Sequence, residues 1–177
     1  MSIRVNFCIQ LRDGSGNVVQ EDEIQNNFEF YAPVLHDMHV NHSLEGCVTI
    51  QSPSQDEINI WDDLWVIVQN LFFYSIVDLL NQDKSCFLYS YLSQYAHLVL
   101  VPSSYDIYIF GDDRDNVPPT SFNKTELLLA FYHCGQRYLD LLRRLKNVSE
   151  SGPTFVPPHL EIEAEKAQKA LEAHNLL

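Results

Sequence analysis

The chain has 177 residues, 46% of them hydrophobic and 20% charged, with ten Phe, nine Tyr and two Trp, enough apolar mass for one sizeable core and too much for a disordered chain. Eleven Lys and Arg stand against twenty-four Asp and Glu, a formal net charge of −13. A field of that sign repels phosphate backbones and the anionic face of a membrane, which speaks against nucleic acid and lipid as direct partners.

The first residues run straight into strand-like sequence, so a secretory leader is not expected. The longest apolar run, Leu71 to Leu80, is broken by Ser75 and Asp78 and is too short to span a bilayer. Cys8, Cys47, Cys86 and Cys134 are scattered and form no C-x-x-C pair. They read as thiols of a reducing compartment, so a cytoplasmic protein is expected.

In chain order, Ile3, Val5, Phe7, Ile9 and Leu11 alternate with Arg4, Asn6 and Gln10, the period of a half-buried strand. Asp13-Gly14-Ser15-Gly16-Asn17 is a turn signal. A return strand is predicted from Val18 and Val19, interrupted by Glu21-Asp22-Glu23 and resumed at Phe28-Glu29-Phe30-Tyr31. Pro33 and the His36 to His42 stretch read as a loop, and Cys47-Val48-Thr49-Ile50 as a strand ended by Ser52-Pro53-Ser54.

From Asp56 to about Gln82 the spacing turns helical through Trp61, Leu64, Trp65, Val68, Leu71, Phe72, Ile76 and Leu79. Ser54 and Glu57 would form a capping box at its start. Three strands of a meander follow, Cys86 to Leu92, Ala96 to Val101 and Tyr105 to Phe110. A second helix runs from Lys124 to Lys146, with Arg143, Arg144 and Lys146 complementing the dipole at its C-terminal end.

The expected fold is therefore α+β, a largely antiparallel sheet packed against two long amphipathic helices, plus a C-terminal helical tail. Residues 1–147 would form one domain, 148–159 a Ser-, Gly- and Pro-rich linker, and 160–177 the tail. The tail carries only a thin stripe of Leu160, Ala164, Ala167 and Leu171. It must dock on something or stay mobile, and its removal from Ser149 onward is expected to leave the body folded.

No pattern for a cofactor, a metal or a catalytic group is present. His36, His39 and His42 would converge on zinc only in an irregular loop, and the plainer reading is a polar connection. Asp112-Asp113-Arg114-Asp115-Asn116 lacks the ligand spacing and bidentate Glu of a calcium loop. Gly14-Ser15-Gly16 is neither a phosphate cradle nor a nucleophile elbow. What does stand out is clustered acid beside aromatics: Trp61, Asp62, Asp63 and Trp65 on the predicted first helix, and Asp112, Asp113 and Asp115 in the loop before the second. Helix-terminal carboxylates are stabilising in their own right, but aromatics beside charges are also typical of interface anchors.

The order of these parts, a strand-rich beginning, the Trp-containing helix Ile60-Trp61-Asp62-Asp63-Leu64-Trp65, a meander and the helix from Leu127 to Leu145, resembles the small acidic immunity proteins of bacterial polymorphic-toxin and contact-dependent inhibition systems. The resemblance covers Ile3 to Lys146 and rests on architecture and composition. It implies a protein that binds and neutralises a cognate, basic toxin domain in the producing cell's cytoplasm. A small enzyme or ligand-binding domain and a structural adaptor are the alternatives; a deep pocket of convergent polar groups would mark the former and a stable homo-oligomer the latter.

Overall fold

The computed structural model describes residues 3–12, 16–41, 44–53, 55–81, 85–90, 97–111, 119–148 and 156–177. Among them the α+β class takes the form of two four-stranded antiparallel sheets with helices packed against them.

The first sheet has the order β2-β1-β3-β4. In β1 (Arg4–Gln10) the alternating Val5, Phe7 and Ile9 are buried. It pairs with β2 (Val18–Gln20) on one side and β3 (Glu45–Ser52) on the other. The stretch between β2 and β3 is helical: α1 (Glu21–Asn26) and α2 (Phe28–Asn41) replace the return strand and polar loop expected there. Glu21, Asp22 and Glu23, read as an interruption, form the first turn of α1, where carboxylates face the positive end of the helix dipole. In α2 only Ala32, Leu35 and Met38 are buried and Pro33 lies inside the helix, so neither the apolar stripe nor the local punctuation advertised it.

Residues 55–63 are the second correction. They form β4 (Gln55–Asp63), paired with β3 through a hairpin at Ser52 and Pro53, and Ser54 lies outside the described residues. The helix begins only at Leu64: α3 (Leu64–Val66), a π-helical stretch (Ile67–Tyr74) and α4 (Ser75–Leu80) run on as one rod. Ile67, Val68, Leu71, Phe72, Phe73, Ile76 and Leu79 on this rod are all buried. Phe72 lies against Phe131 at 5.1 Å between ring centroids.

The second sheet is the expected meander, β5 (Phe87–Ser90), β6 (His97–Pro102) and β7 (Asp106–Phe110), with a fourth strand, β8 (Thr120–Asn123), that the sequence reading lacked. Asn123 then caps α5 (Lys124–Lys146), its side chain accepting from Glu126 N at 3.0 Å. The rod and α5 form the centre, with both sheets and α6 (Pro158–Ala173) around them.

α6 is docked. Leu160, Ala164, Ala167 and Leu171 are buried against the π-helical stretch, α4 and α5. The stripe is narrow, but the rod opposite is apolar on that side too. Trp65 and His159 meet edge to face at 5.9 Å, and Tyr132 donates to Gln168 Oε1 at 3.3 Å. At the other side of α5, Arg137 reaches the buried Glu21 carboxylate and donates to Val5 O at 2.7 Å, joining α5 to α1 and β1. Among the described residues no helix is long and apolar enough to cross a membrane.

Candidate functional site

The two sheets turn opposite chemistries outward. In the second sheet the inner positions Phe87, Tyr89, Leu98, Leu100, Ile107, Ile109 and Phe122 are buried, over α4 and α5. The outer positions near the middle of the sheet are also apolar, with Ser90, Asp106, Ser121 and Asn123 around them. Leu88 is opposite Val99, Val99 opposite Phe110, and Val101 opposite Tyr108, so five apolar side chains form two adjoining cross-strand rows. Leu88 is 54% exposed, Tyr108 38% and Phe110 37%, with Val99 and Val101 half-buried between them. Apolar residues scattered singly on a surface need no explanation, whereas apolar residues opposed across three strands make this face a candidate docking surface.

The outer face of the first sheet is polar. Its rows read Gln20–Cys8–Cys47–Trp61 and Asn6–Thr49–Asn59 across the strands. Together with Val18, Gln51 and Glu57 they line an open depression of about 430 Å³. Thr49 Oγ1 donates to Asn59 Oδ1 at 2.7 Å, and Asn59 Nδ2 to Glu57 Oε1 at 2.9 Å. Donation from Gln51 and Asn59 holds the Glu57 carboxyl below its usual range. Under this net lie two buried thiols: the neighbouring Cys47 draws the Cys8 thiol down, while the neighbouring Cys8 and burial push Cys47 up.

The group Trp61, Asp62, Asp63 and Trp65 is split up. On a strand, neighbours point to opposite faces, so Trp61 stands outward, 42% exposed, while Asp62 is buried. Asp62 accepts from the fully buried Tyr89 hydroxyl at 2.9 Å and from Asp63 N at 2.9 Å. That bond ties β4 of one sheet to β5 of the other. A carboxylate so engaged holds the fold together and is not placed to steer an approaching partner. Asp63 is half-buried, and its charge adds to burial in keeping the Tyr138 phenol neutral. Trp65 is half-buried against α6. Asp112, Asp113 and Asp115 lie outside the described residues, in the segment that joins β7 to β8.

His36 and His39 lie one turn apart on α2, not in a loop, and His42 is outside the described residues. Among the described residues, no group of three or more His, Cys, Asp or Glu could hold a metal ion.

Compared with protein-family models, with curated proteins and with solved structures, the chain matches none.

The sequence reading missed the apolar outer face, and its signal was present. Leu98-Val99-Leu100-Val101 and Ile107-Tyr108-Ile109-Phe110 are apolar at every position, where a strand with one face in water alternates. Such a run is the pattern of a strand buried on both faces, and here one face is buried in the core.

Proposed function

We propose that this chain is a binding protein of the immunity or inhibitor class, neutralising a cognate basic toxin domain by docking on it through the outer face of the second sheet. The observation that carries the reading is the double row Leu88–Val99–Phe110 and Val101–Tyr108, exposed on a sheet whose other face is already in the core. The chemistry of the partner is argued from charge. The chain is at −13, and Asp112, Asp113 and Asp115 lie within five residues after Phe110 in sequence. A basic protein with an apolar patch complements both features. Tyr108 and Phe110 are the anchors, rigid side chains with large contact area, and the three aspartates set the on-rate.

The test is binding to a basic toxin domain from the genes neighbouring this one, followed kinetically at two salt concentrations, with protection of cells expressing that toxin; if no such domain binds, the inhibitor reading fails. Phe110→Ala and Tyr108→Ala should speed dissociation, each at a cost of about 2 kcal/mol or more, ~30-fold in affinity. Charge reversal at Asp112, Asp113 and Asp115 should slow association and flatten its salt dependence. Asn59→Ala on the other sheet should do neither. Binding that is lost with Asn59 and indifferent to Phe110 would move the surface. A stable homo-oligomer closed by Phe110, with no basic partner, would replace the inhibitor reading with an adaptor.

A further inference from the structure

Cys8 and Cys47 lie directly opposite each other on the adjacent strands β1 and β3. Both side chains point to the outer face of the first sheet and line its depression, in a row between Gln20 and Trp61. Neither is a core thiol of the Cys134 kind, which is wholly enclosed on α5. They are covered, at 5% and 2% exposure, by larger neighbours on an otherwise polar surface, and Cys47 Sγ is 3.6 Å from Asn59 Oδ1.

We propose that Cys8 and Cys47 form an oxidative modification site, a dithiol that a peroxide converts to a reversible cross-strand disulfide. Directly opposed residues of an antiparallel pair have Cα atoms about 4.5–5.5 Å apart, inside the ~4.4–6.8 Å that a disulfide spans. Their Cβ atoms stand at about 4.5–5.5 Å, wider than the ~3.5–4.5 Å the bridge prefers. Closing it draws the two strands together and leaves a strained bond that thiols reduce readily.

The pairing also assigns the roles. Cys47 Sγ donates to Asn59 Oδ1 at 3.6 Å and keeps its proton, and Cys8, whose thiol is drawn down beside it, is the nucleophile. The Cys8 thiolate attacks one oxygen of hydrogen peroxide. The O–O bond breaks, hydroxide leaves, and Cys8 becomes the sulfenic acid. Cys47 sulfur then attacks the Cys8 sulfur as its proton passes to the departing oxygen, which leaves as water. Two thiols are oxidised by two electrons, and one peroxide is reduced to two waters.

The experiment treats the whole protein with hydrogen peroxide under native conditions, followed by thiol counting after denaturation, intact mass and peptide mapping. The expected result is a fall from four thiols to two, loss of two hydrogens, and a linked pair of peptides carrying Cys8 and Cys47. Dithiothreitol should reverse it, and Trp61, opposite Cys47, should be quenched in the oxidised form. Cys86 is exposed, so the same measurement on Cys86→Ser removes bridges between chains and should keep the product. Cys8→Ser should abolish it, and Cys47→Ser should stop at a sulfenic acid that dimedone traps. The proposal is overturned if the native protein keeps both thiols under peroxide until it unfolds. It is equally overturned if oxidation ends in Cys86-linked dimers or over-oxidised Cys8 with no linked peptide.

Discussion

Replacing Leu160 or Leu171 by alanine tests whether the final helix belongs to the core. Both side chains are fully buried, between α6 and the rod. Alanine is at least as good a helix former as leucine, so a loss must come from packing. A buried Leu→Ala change removes transfer free energy and leaves a cavity, together about 2.7–5 kcal/mol where the surroundings cannot collapse. Each leucine sits near one end of α6 (Pro158–Ala173), where local relaxation is easier, so the lower end, about 2–3 kcal/mol each, is expected. The two lie ~16 Å apart along the helix and share no cavity, so the double variant should lose about 4–6 kcal/mol. Ile162→Ala, at a position 51% exposed, should stay within about 0.5 kcal/mol. Urea unfolding followed by circular dichroism measures this directly, and each single variant should melt about 5–10 °C lower. If both single variants lie within about 0.5 kcal/mol of the parent, α6 is not seated in the core. The expectation drawn from its thin stripe, a tail whose removal leaves the body unchanged, would then hold.

Gly135→Ala should cost up to about 2 kcal/mol: helix propensity gains ~1, but the new Cβ would stand 2.6 Å from Phe73 Cζ, and overpacking costs ~1–3. Phe73→Leu in the Gly135→Ala background should recover part of that loss, and a chemical-denaturation cycle of the four proteins reads the coupling. Asp62→Ala should lower stability by about 1–3 kcal/mol, because it removes the acceptor of the buried Tyr89–Asp62 hydrogen bond that joins the two sheets; an unchanged midpoint with a slowed association rate would instead return Asp62 to the binding surface. Burial pushes the Cys134 thiol up from its ordinary 9.0, with Glu21 adding to the shift and Arg137 opposing it. A raised folded value means stability that is intact below pH 9 and lost above it, so ~1 kcal/mol should disappear between pH 8 and 10. Cys134→Ala should remove that part of the slope, while a parent and variant falling in parallel over this range would count against it.

How much of the fold can be read from the sequence depends on whether one periodicity is heard at a time. α5 is legible because Leu128, Phe131, Gly135, Tyr138, Leu142 and Leu145 keep a helical spacing, with basic residues at the end. Residues 55–65 carry two periods at once: Ile58 and Ile60 alternate with Glu57, Asn59 and Trp61, while Trp61, Leu64, Trp65 and Val68 keep a spacing of three and four. The longer period suggests a helix from the start, yet hairpin pairing with β3 decides for a strand, because tertiary pairing overrides a local pattern. With the helix start misplaced, Trp61 and Asp62 become neighbours on one surface in sequence and face opposite ways in space.

The site has its own limits of legibility. The apolar outer face of the second sheet is written in the sequence as strands without alternation, and reading it needs only the rule that such strands are covered on both sides. The thiol pair is not written anywhere locally. Cys8 and Cys47 are ordinary residues of two separate strands until α1 and α2 fold back between β2 and β3 and the β1–β3 register sets them opposite each other. A one-residue slip in that register would turn one thiol into the core and leave the other outside. Gly46 permits the observed register: a Cβ there would stand 2.0 Å from Cys8 O, so only glycine lets β3 approach β1 at this point. The residue that makes the pairing possible is therefore the neighbour of the cysteine that uses it, and Gly46→Ala should disturb the dithiol before it disturbs any other part of the outer face.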